Sequence, residues 1–435
     1  MDIGVLTAEV IGDVCLVLVV SGVFGALARR CGQPTVIGQI LAGILLGPTL
    51  LGRSPGDPTR HLFNSHVLPY LTVLSQIAIV IFMFVVGYEF DWRAVRGKGR
   101  TVPAVAASGL LIPMALGAAA VLLWPAGFTA LGEHDVRSRS FVLFMAVAVA
   151  ITALPVLAAI VREQGLAGTM VGSVGTAAAG IMDVAAWLVL AAALIGTVQS
   201  PNRPWLVTVL LLAAFVAAML LVVRPALRWW FSRPRQVLAS RLPVALALAL
   251  GCAYVTASLG LHPVFGGFLA GLVMPGRDAA PDDEVLRPME QTASLLLPLF
   301  FVTTGLSLNL GAVGLAALGM LALILVLAGG GKLGSAYAAA RLSGLPARSA
   351  AAIAALVNTR GLTELIALNV GLQAGIIHPR LFTVLVLMAV ITTLMTGPLL
   401  SVIGMQRLLS STGVTAAQPP LAHTGGSSAE QPETG

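Results

Sequence analysis

Charge is what this sequence most lacks. Only 10% of its 435 residues are Asp, Glu, Lys or Arg, against about 25% in an average soluble protein. Apolar residues reach 57%, and the mean hydropathy is +0.95. A chain so poor in charge cannot give a soluble domain a solvated surface, and one so apolar does not stay disordered. Cysteine is scarce too. Cys15, Cys31 and Cys252 lie in or beside apolar stretches without paired spacing, which argues against a disulfide framework and a zinc site. The six histidines fall in loops or at segment ends, and none has metal-ligand spacing. Glycine is abundant, yet no Walker or dinucleotide fingerprint occurs. No basic stretch precedes the first apolar run, so a cleaved secretory signal is not expected.

What is present is a succession of long apolar segments. A membrane-spanning helix needs about 20 mostly apolar residues. Thirteen candidates are predicted, at 7–28, 36–52, 67–88, 101–124, 140–162, 168–198, 204–224, 240–258, 263–275, 291–308, 312–341, 347–371 and 380–406. The ninth is short enough to be a tilted or broken span. The polar segment 407–435 is predicted to be a disordered tail. The net charge of +7 reads as an orientation signal rather than a nucleic-acid-binding face. Loops after odd-numbered segments, with the C-terminal end, carry 17 basic residues, and loops after even-numbered segments carry 6. Positive charge collects on the cytoplasmic side, so the N-terminus is expected outside and the C-terminus inside.

The segments repeat. Gly38-Gln-Ile-Leu-Ala-Gly43 in segment 2 echoes Gly266-Gly-Phe-Leu-Ala-Gly271 in segment 9. Phe82-Met-Phe-Val-Val-Gly87 in segment 3 echoes Phe300-Phe-Val-Thr-Thr-Gly305 in segment 10. Both pairs are seven segments apart. Seven is odd, so the two copies cross the membrane in opposite directions, an arrangement typical of secondary transporters.

Ionisable groups in hydrocarbon cost roughly 2.5–3.5 kcal/mol each on insertion scales, so they mark function. Four lie well inside apolar segments: Asp183, Lys332, Arg360 and Glu364. Asp13 and Glu89 lie nearer segment ends and are weaker candidates. A mid-membrane carboxylate at Asp183 holds a desolvated monovalent cation or a proton, but not easily both. That exclusivity is what cation/proton exchange requires. The bland reading is a neutral Asp bonded to a neighbouring backbone. Lys332 is a candidate partner of Asp183 when no cation is bound; alternatively it snorkels to the interface. Arg360 and Glu364 are four residues apart, on one helical face. They read as an internal ion pair, or as an arginine capping carbonyls at a helix break. In Ala150-Ile-Thr-Ala-Leu-Pro155, Pro155 is expected to free the carbonyl near Ile151 and Thr152 offers a hydroxyl, together a cation-coordinating set. A plain proline kink is the alternative. Thr152 aligns with Asn358 seven segments on, suggesting two breaks that cross.

These motifs together resemble the cation:proton antiporters of the second major branch, which includes Kef-type potassium/proton proteins and bacterial Na⁺/H⁺ antiporters. The carriers are Gly38–Pro48, Phe82–Asp91, His262–Gly271, Pro298–Leu306 and Asn358-Thr-Arg-Gly361, within a likeness covering about residues 5–406. The resemblance implies an all-α membrane protein with about thirteen helices, an inverted repeat and two crossing broken helices. It implies a homodimer, with scaffold helices within 1–100 and 240–310 and moving core helices within 101–200 and 311–406. Asp183 matches the carrier aspartate and Lys332 a core lysine of some members. Pro155, Asn358 and Gly361 mark the breaks. Many members carry two adjacent polar residues at the carrier position, and here the first is Met182, a poor ligand for a hard cation. No nucleotide-binding domain of the Kef kind is expected in 407–435.

The implied activity is exchange of Na⁺ or K⁺ for H⁺ by alternating access, with Asp183 and Thr152 at a transient monovalent cation site and no cofactor. The implied setting is a bacterial plasma membrane, with the lipid bilayer and a second copy as partners and no nucleic acid. A passive K⁺ efflux route and a Na⁺-coupled organic-anion carrier are the alternatives on the same architecture. A membrane-embedded enzyme is disfavoured, because no nucleophile–base or metal constellation is found.

Overall fold

The computed structural model describes residues 3–30, 35–47, 50–53, 59, 62–64, 66–89, 100–166, 169–194, 205–232, 241–277, 281–308, 310 and 314–403. The expected disordered tail lies outside the described residues. Helix dominates the rest. In chain order the main helices are α1 (Ile3–Arg30), α2 (Thr35–Leu46), α3 (Leu68–Tyr88), α4 (Thr101–Leu123), α5 (Arg139–Ala150), α6 (Leu154–Glu163) and α7 (Met170–Leu194). Helix α8 runs from Trp205–Ala218 through a π-helical turn, Met219–Val223, into Arg224–Phe231. Then come α9 (Arg241–Ser258), α10 (Pro263–Val273), α11 (Asp283–Leu306), α12 (Leu315–Leu342, with a π-helical turn at Val326–Gly330), α13 (Ala347–Val357), α14 (Leu362–Gln373) and α15 (Pro379–Val402).

Every expected segment contains helix, but the count of thirteen spans is not reproduced. Among the described residues nine helices are long and apolar enough to cross a membrane, or ten if the bent pair α13–α14 is one span. The shortfall has physical causes. Helices α2 and α10 have 12 and 11 residues, short of the roughly 20 a span needs. Helix α11 begins at Asp283, caps its first turn with Asp282 and carries Glu284, Arg287 and Glu290 before its apolar half. It therefore starts earlier than the segment at 291–308 suggested.

Two groups of helices pack more closely within themselves than with each other. In one, α3 lies against α10 and α11, α9 against α10, and α2 against α1 and α11. In the other, α4 lies against α5 and α12, α7 against α4, α5 and α13, and α12 against α13. Helix α3 is apolar all round and buried through Ala78–Ile81 and Met83–Tyr88, as a central helix should be. Helix α8 is the opposite case. Leu206, Leu210, Leu220, Leu221 and Val222 are exposed, an apolar surface suited to lipid.

Glycine sets the first group's spacing, and the contacts follow the sequence repeat. A Cβ at Gly38 of α2 would lie 2.1 Å from the Phe24 carbonyl oxygen of α1. A Cβ at Gly266 of α10 would lie 2.2 Å from the Cys252 carbonyl oxygen of α9. Gly43 of α2 meets Gly305 of α11, and Gly271 of α10 meets Phe84 and Tyr88 of α3. Each repeat's short helix therefore docks on the other repeat's long one. This pseudo-two-fold exchange is what an inverted repeat produces.

Candidate functional site

The second group contains two interrupted helices. Helix α5 stops at Ala150 and α6 begins at Leu154, leaving residues 151–153 non-helical. The Pro155 ring would clash with the Ile151 carbonyl in a continuous helix, and in the first turn of α6 its missing N–H costs nothing. Helix α13 stops at Val357 and α14 begins at Leu362, with a 40° bend between them. Gly361 allows the two interruptions to touch. A Cβ there would lie 2.5 Å from Val156 Cγ2 and 3.4 Å from Ala153 Cβ. The interruptions are also hydrogen-bonded to each other. The Ala153 N–H donates to the Thr359 carbonyl at 3.2 Å, and the Thr152 hydroxyl donates to the Val357 carbonyl at 3.1 Å. Thr393 of α15 donates to the Arg360 carbonyl at 3.0 Å.

A helix C-terminus leaves carbonyls without intrahelical donors, at the negative end of the dipole. At the end of α5 two buried cations supply those donors. Lys332 Nζ of α12 donates to the Ala150 and Ile151 carbonyls, at 2.5 and 2.7 Å. Arg360 Nη1 donates to the Ala148 carbonyl at 2.8 Å and Nη2 to the Val149 carbonyl. Four successive carbonyls thus receive charged donors. Arg360 Nη1 also contacts Glu364 Oε1 at 2.6 Å, with both side chains fully buried. The ion pair and the carbonyl cap, offered as alternatives for Arg360, coexist. The carbonyl at Ile151, expected to be freed for a cation by Pro155, is instead occupied by Lys332. Lys332 acts on Asp183 only through space, because its ammonium faces these carbonyls.

Asp183 sits midway along α7 with 1% of its surface exposed. Its Oδ1 accepts a hydrogen bond from Trp187 Nε1 at 3.1 Å, one turn on. Its Oδ2 is buried without a partner. The Thr152 hydroxyl lies 3.9 Å from Met182 Sδ, which ties the first break to the residue preceding Asp183. Asn358 is fully buried, and neither of its side-chain amide atoms has a partner. Thr152, Asp183, Lys332, Asn358, Arg360, Gly361 and Glu364 therefore belong to one buried region, with Pro155 at its margin. Trp187 was missed, although Asp183 and Trp187 have the four-residue spacing of one helical face. Thr393 was missed as well; its signal was a hydroxyl recurring in the otherwise apolar α15.

Broken helices crossing inside a membrane, with charges at the crossing, define a secondary-transporter fold. The sodium/hydrogen exchanger transmembrane family model matches residues 16–406, and the chain belongs to that family. It is 35% identical over 398 residues to cation/H⁺ antiporter 20 of Arabidopsis thaliana, covering 88% of this chain and 47% of that protein. It is 32% identical over 394 residues to the Na⁺/H⁺ antiporter NhaS4 of Synechocystis sp., covering 90% and 96%. It is 31% identical over 404 residues to K⁺/H⁺ antiporter 1 of Saccharomyces cerevisiae, covering 88% and 45%. The chain spans about half the length of the plant and yeast relatives. In fold it matches the sodium proton antiporter MjNhaP1 of Methanocaldococcus jannaschii, with a TM-score of 0.67 at 15% identity, over 94% of this chain and all of that one.

Proposed function

We propose that this multi-pass membrane protein exchanges a monovalent cation, Na⁺ or K⁺, for H⁺, with Asp183 as the group the two share. The observation that carries the reading is the free oxygen of Asp183. One carboxylate oxygen is tethered to Trp187 and the other is buried without a partner. A buried orphan acceptor is costly, and either a proton or a cation relieves it. The Thr152 hydroxyl donates its proton to Val357, so its lone pairs remain for a cation. Lys332 and Arg360 hold the carbonyl end of α5 in place and offset its negative dipole.

An organic-anion carrier needs cations open to its substrate. Here both buried cations are engaged by carbonyls, and Arg360 by Glu364 as well, which favours cation exchange. The coupling uses ion gradients and requires no cofactor. The two packing groups are the scaffold, α1–α3 with α9–α11, and the moving core, α4–α7 with α12–α15. Movement of core against scaffold would give alternating access. We further assign a homodimer in the plasma membrane, N-terminus outside and C-terminus cytoplasmic. The names of the relatives support the exchange chemistry and leave the choice of cation open.

The test is reconstitution into liposomes holding a pH-sensitive dye. A pH gradient is imposed, and Na⁺, K⁺ or Li⁺ is added in turn. The expected result is saturable dequenching with one or more cations, abolished in Asp183→Asn. Non-saturating, voltage-driven flux would point to a passive efflux route. No response to any of the three by folded protein would overturn the proposal.

A further inference from the structure

Asn358 sits where a break-forming residue alone does not explain it. As the C-terminal cap of α13 it donates its backbone N–H to the Ala354 carbonyl at 3.1 Å. Asparagine at such a position usually bonds nearby backbone through its side chain. Here both Oδ1 and Nδ2 are fully buried and bonded to nothing. A buried polar group in a native fold ordinarily has a partner, and an exception calls for an explanation. The surroundings supply one. Thr152 links Asn358 to Asp183: its hydroxyl donates to the Val357 carbonyl, beside Asn358, and touches Met182 Sδ, beside Asp183. Helices α7 and α13 pack directly, so close that a Cβ at Gly175 would lie 3.3 Å from Leu356 Cδ1.

Helix α7 brings little else to a hard cation. Met182 offers a soft thioether, a poor ligand for Na⁺ or K⁺. The carbonyls of Ala148, Val149, Ala150 and Ile151 already face the positively charged donors of Arg360 and Lys332, which repel a further cation. A dehydrated alkali cation needs several oxygens, and Asn358 Oδ1 is an unbonded neutral side-chain oxygen directly after the Val357 carbonyl that Thr152 contacts. We propose that the Asn358 amide oxygen is a direct ligand of the transported cation, contributed from the second broken helix to complement Asp183 and Thr152. Asn358 then sets cation affinity and preference without itself carrying the proton. This inference rests on the exchange reading above.

The experiment is a titration of Na⁺, K⁺ and Li⁺ in the same proteoliposomes, comparing the unmodified protein with Asn358→Ala, Asn358→Ser, Asn358→Asp and Asp183→Asn. Loss of one oxygen ligand should raise the apparent KM of the preferred cation about tenfold in Asn358→Ala, and less in Asn358→Ser, which keeps a hydroxyl oxygen. The double variant Met182→Asn with Asn358→Ala, which restores an amide from the α7 side, should recover part of the loss. Should the alanine variant fail to accumulate as folded protein, the serine and aspartate variants carry the test. The serine must then raise KM, and the aspartate must change the order of preference among the three cations. Unchanged KM and preference in these variants, with exchange abolished in Asp183→Asn, would overturn the ligand role and leave the exchange reading standing. An unmodified protein that exchanges none of the cations would remove the reading on which the proposal rests.

Discussion

Replacing Arg360 by Leu tests how the broken helices are held together. The substitution removes three things at once: the partner of Glu364, and the donors to the Ala148 and Val149 carbonyls. Glu364 is fully buried. Removing one member of a buried ion pair typically costs about 3–5 kcal/mol, because the other charge is left uncompensated. Each carbonyl left without a donor adds roughly 1–3 kcal/mol. The single variant should therefore lose more than about 5 kcal/mol. At about 2 °C or less per kcal/mol for a chain of this length, a loss of about 5–11 kcal/mol is a fall in Tm of up to roughly 20 °C. The double variant Arg360→Leu with Glu364→Leu removes the stranded carboxylate and leaves only the carbonyl part. It should recover about half of the loss. Glu364→Gln alone keeps an acceptor for Arg360 and should cost less than either. The assay is thermal unfolding of purified protein in detergent or nanodiscs, followed by tryptophan fluorescence. A double variant no more stable than the single would refute the assignment of about half the loss to the ion pair. An Arg360→Leu protein as stable as the unmodified one would refute the carbonyl cap as well.

Gly271→Ala places a methyl 2.0 Å from the Phe84 carbonyl oxygen, and backbone cannot yield as a side-chain tip can. Folded yield should collapse, whereas Gly22→Ala, with nothing within 4 Å, should be neutral or slightly stabilising; size-exclusion profiles of the two separate these outcomes. Trp187→Phe keeps an aromatic ring against Phe265, whose centroid is 5.7 Å away, but removes the donor that orients Asp183. A hydrogen bond to a charged group is worth about 1.5–3 kcal/mol, so Tm should fall by no more than about 6 °C, and the apparent KM for the cation should change because the carboxylate is no longer oriented. An unchanged KM would show that the tether does not orient the carboxylate.

Much of the packing of the first helical group was legible because it is written in small residues at fixed spacing. The Gly38/Gly266 and Gly43/Gly271 echoes mark close backbone contacts, and no other residue type permits them. The breaks were legible too, from Pro155 and from Asn358-Thr-Arg-Gly361. What the sequence concealed was who satisfies whom. Lys332 reaches the Ala150 carbonyl across 182 residues of chain, and no local pattern encodes that choice. The expectation of a free carbonyl at Ile151 followed correctly from proline chemistry but ignored the cations available elsewhere to fill it. Lys332, a candidate partner of Asp183, donates to the Ala150 and Ile151 carbonyls, a choice that the local sequence does not encode. Helix ends were hidden where charge extends a helix beyond its apolar stretch, as Asp283–Glu290 does for α11.

The exchange of short helices between the repeats has a consequence for how the chain is made. Helix α2 is synthesised early, but the surface that receives Gly43 is formed by Val302 and Gly305 of α11. At about 5–20 residues per second, that surface emerges roughly 10–50 s later. The complementary surface on α3 likewise waits for Gly267 and Gly271 of α10. The first half of the chain therefore enters the bilayer with its docking faces open, and they close only when the second half arrives from the ribosome. Assembly is committed late and all at once, and a nascent chain released between the two repeats would carry one half of each of two unmade interfaces into the membrane.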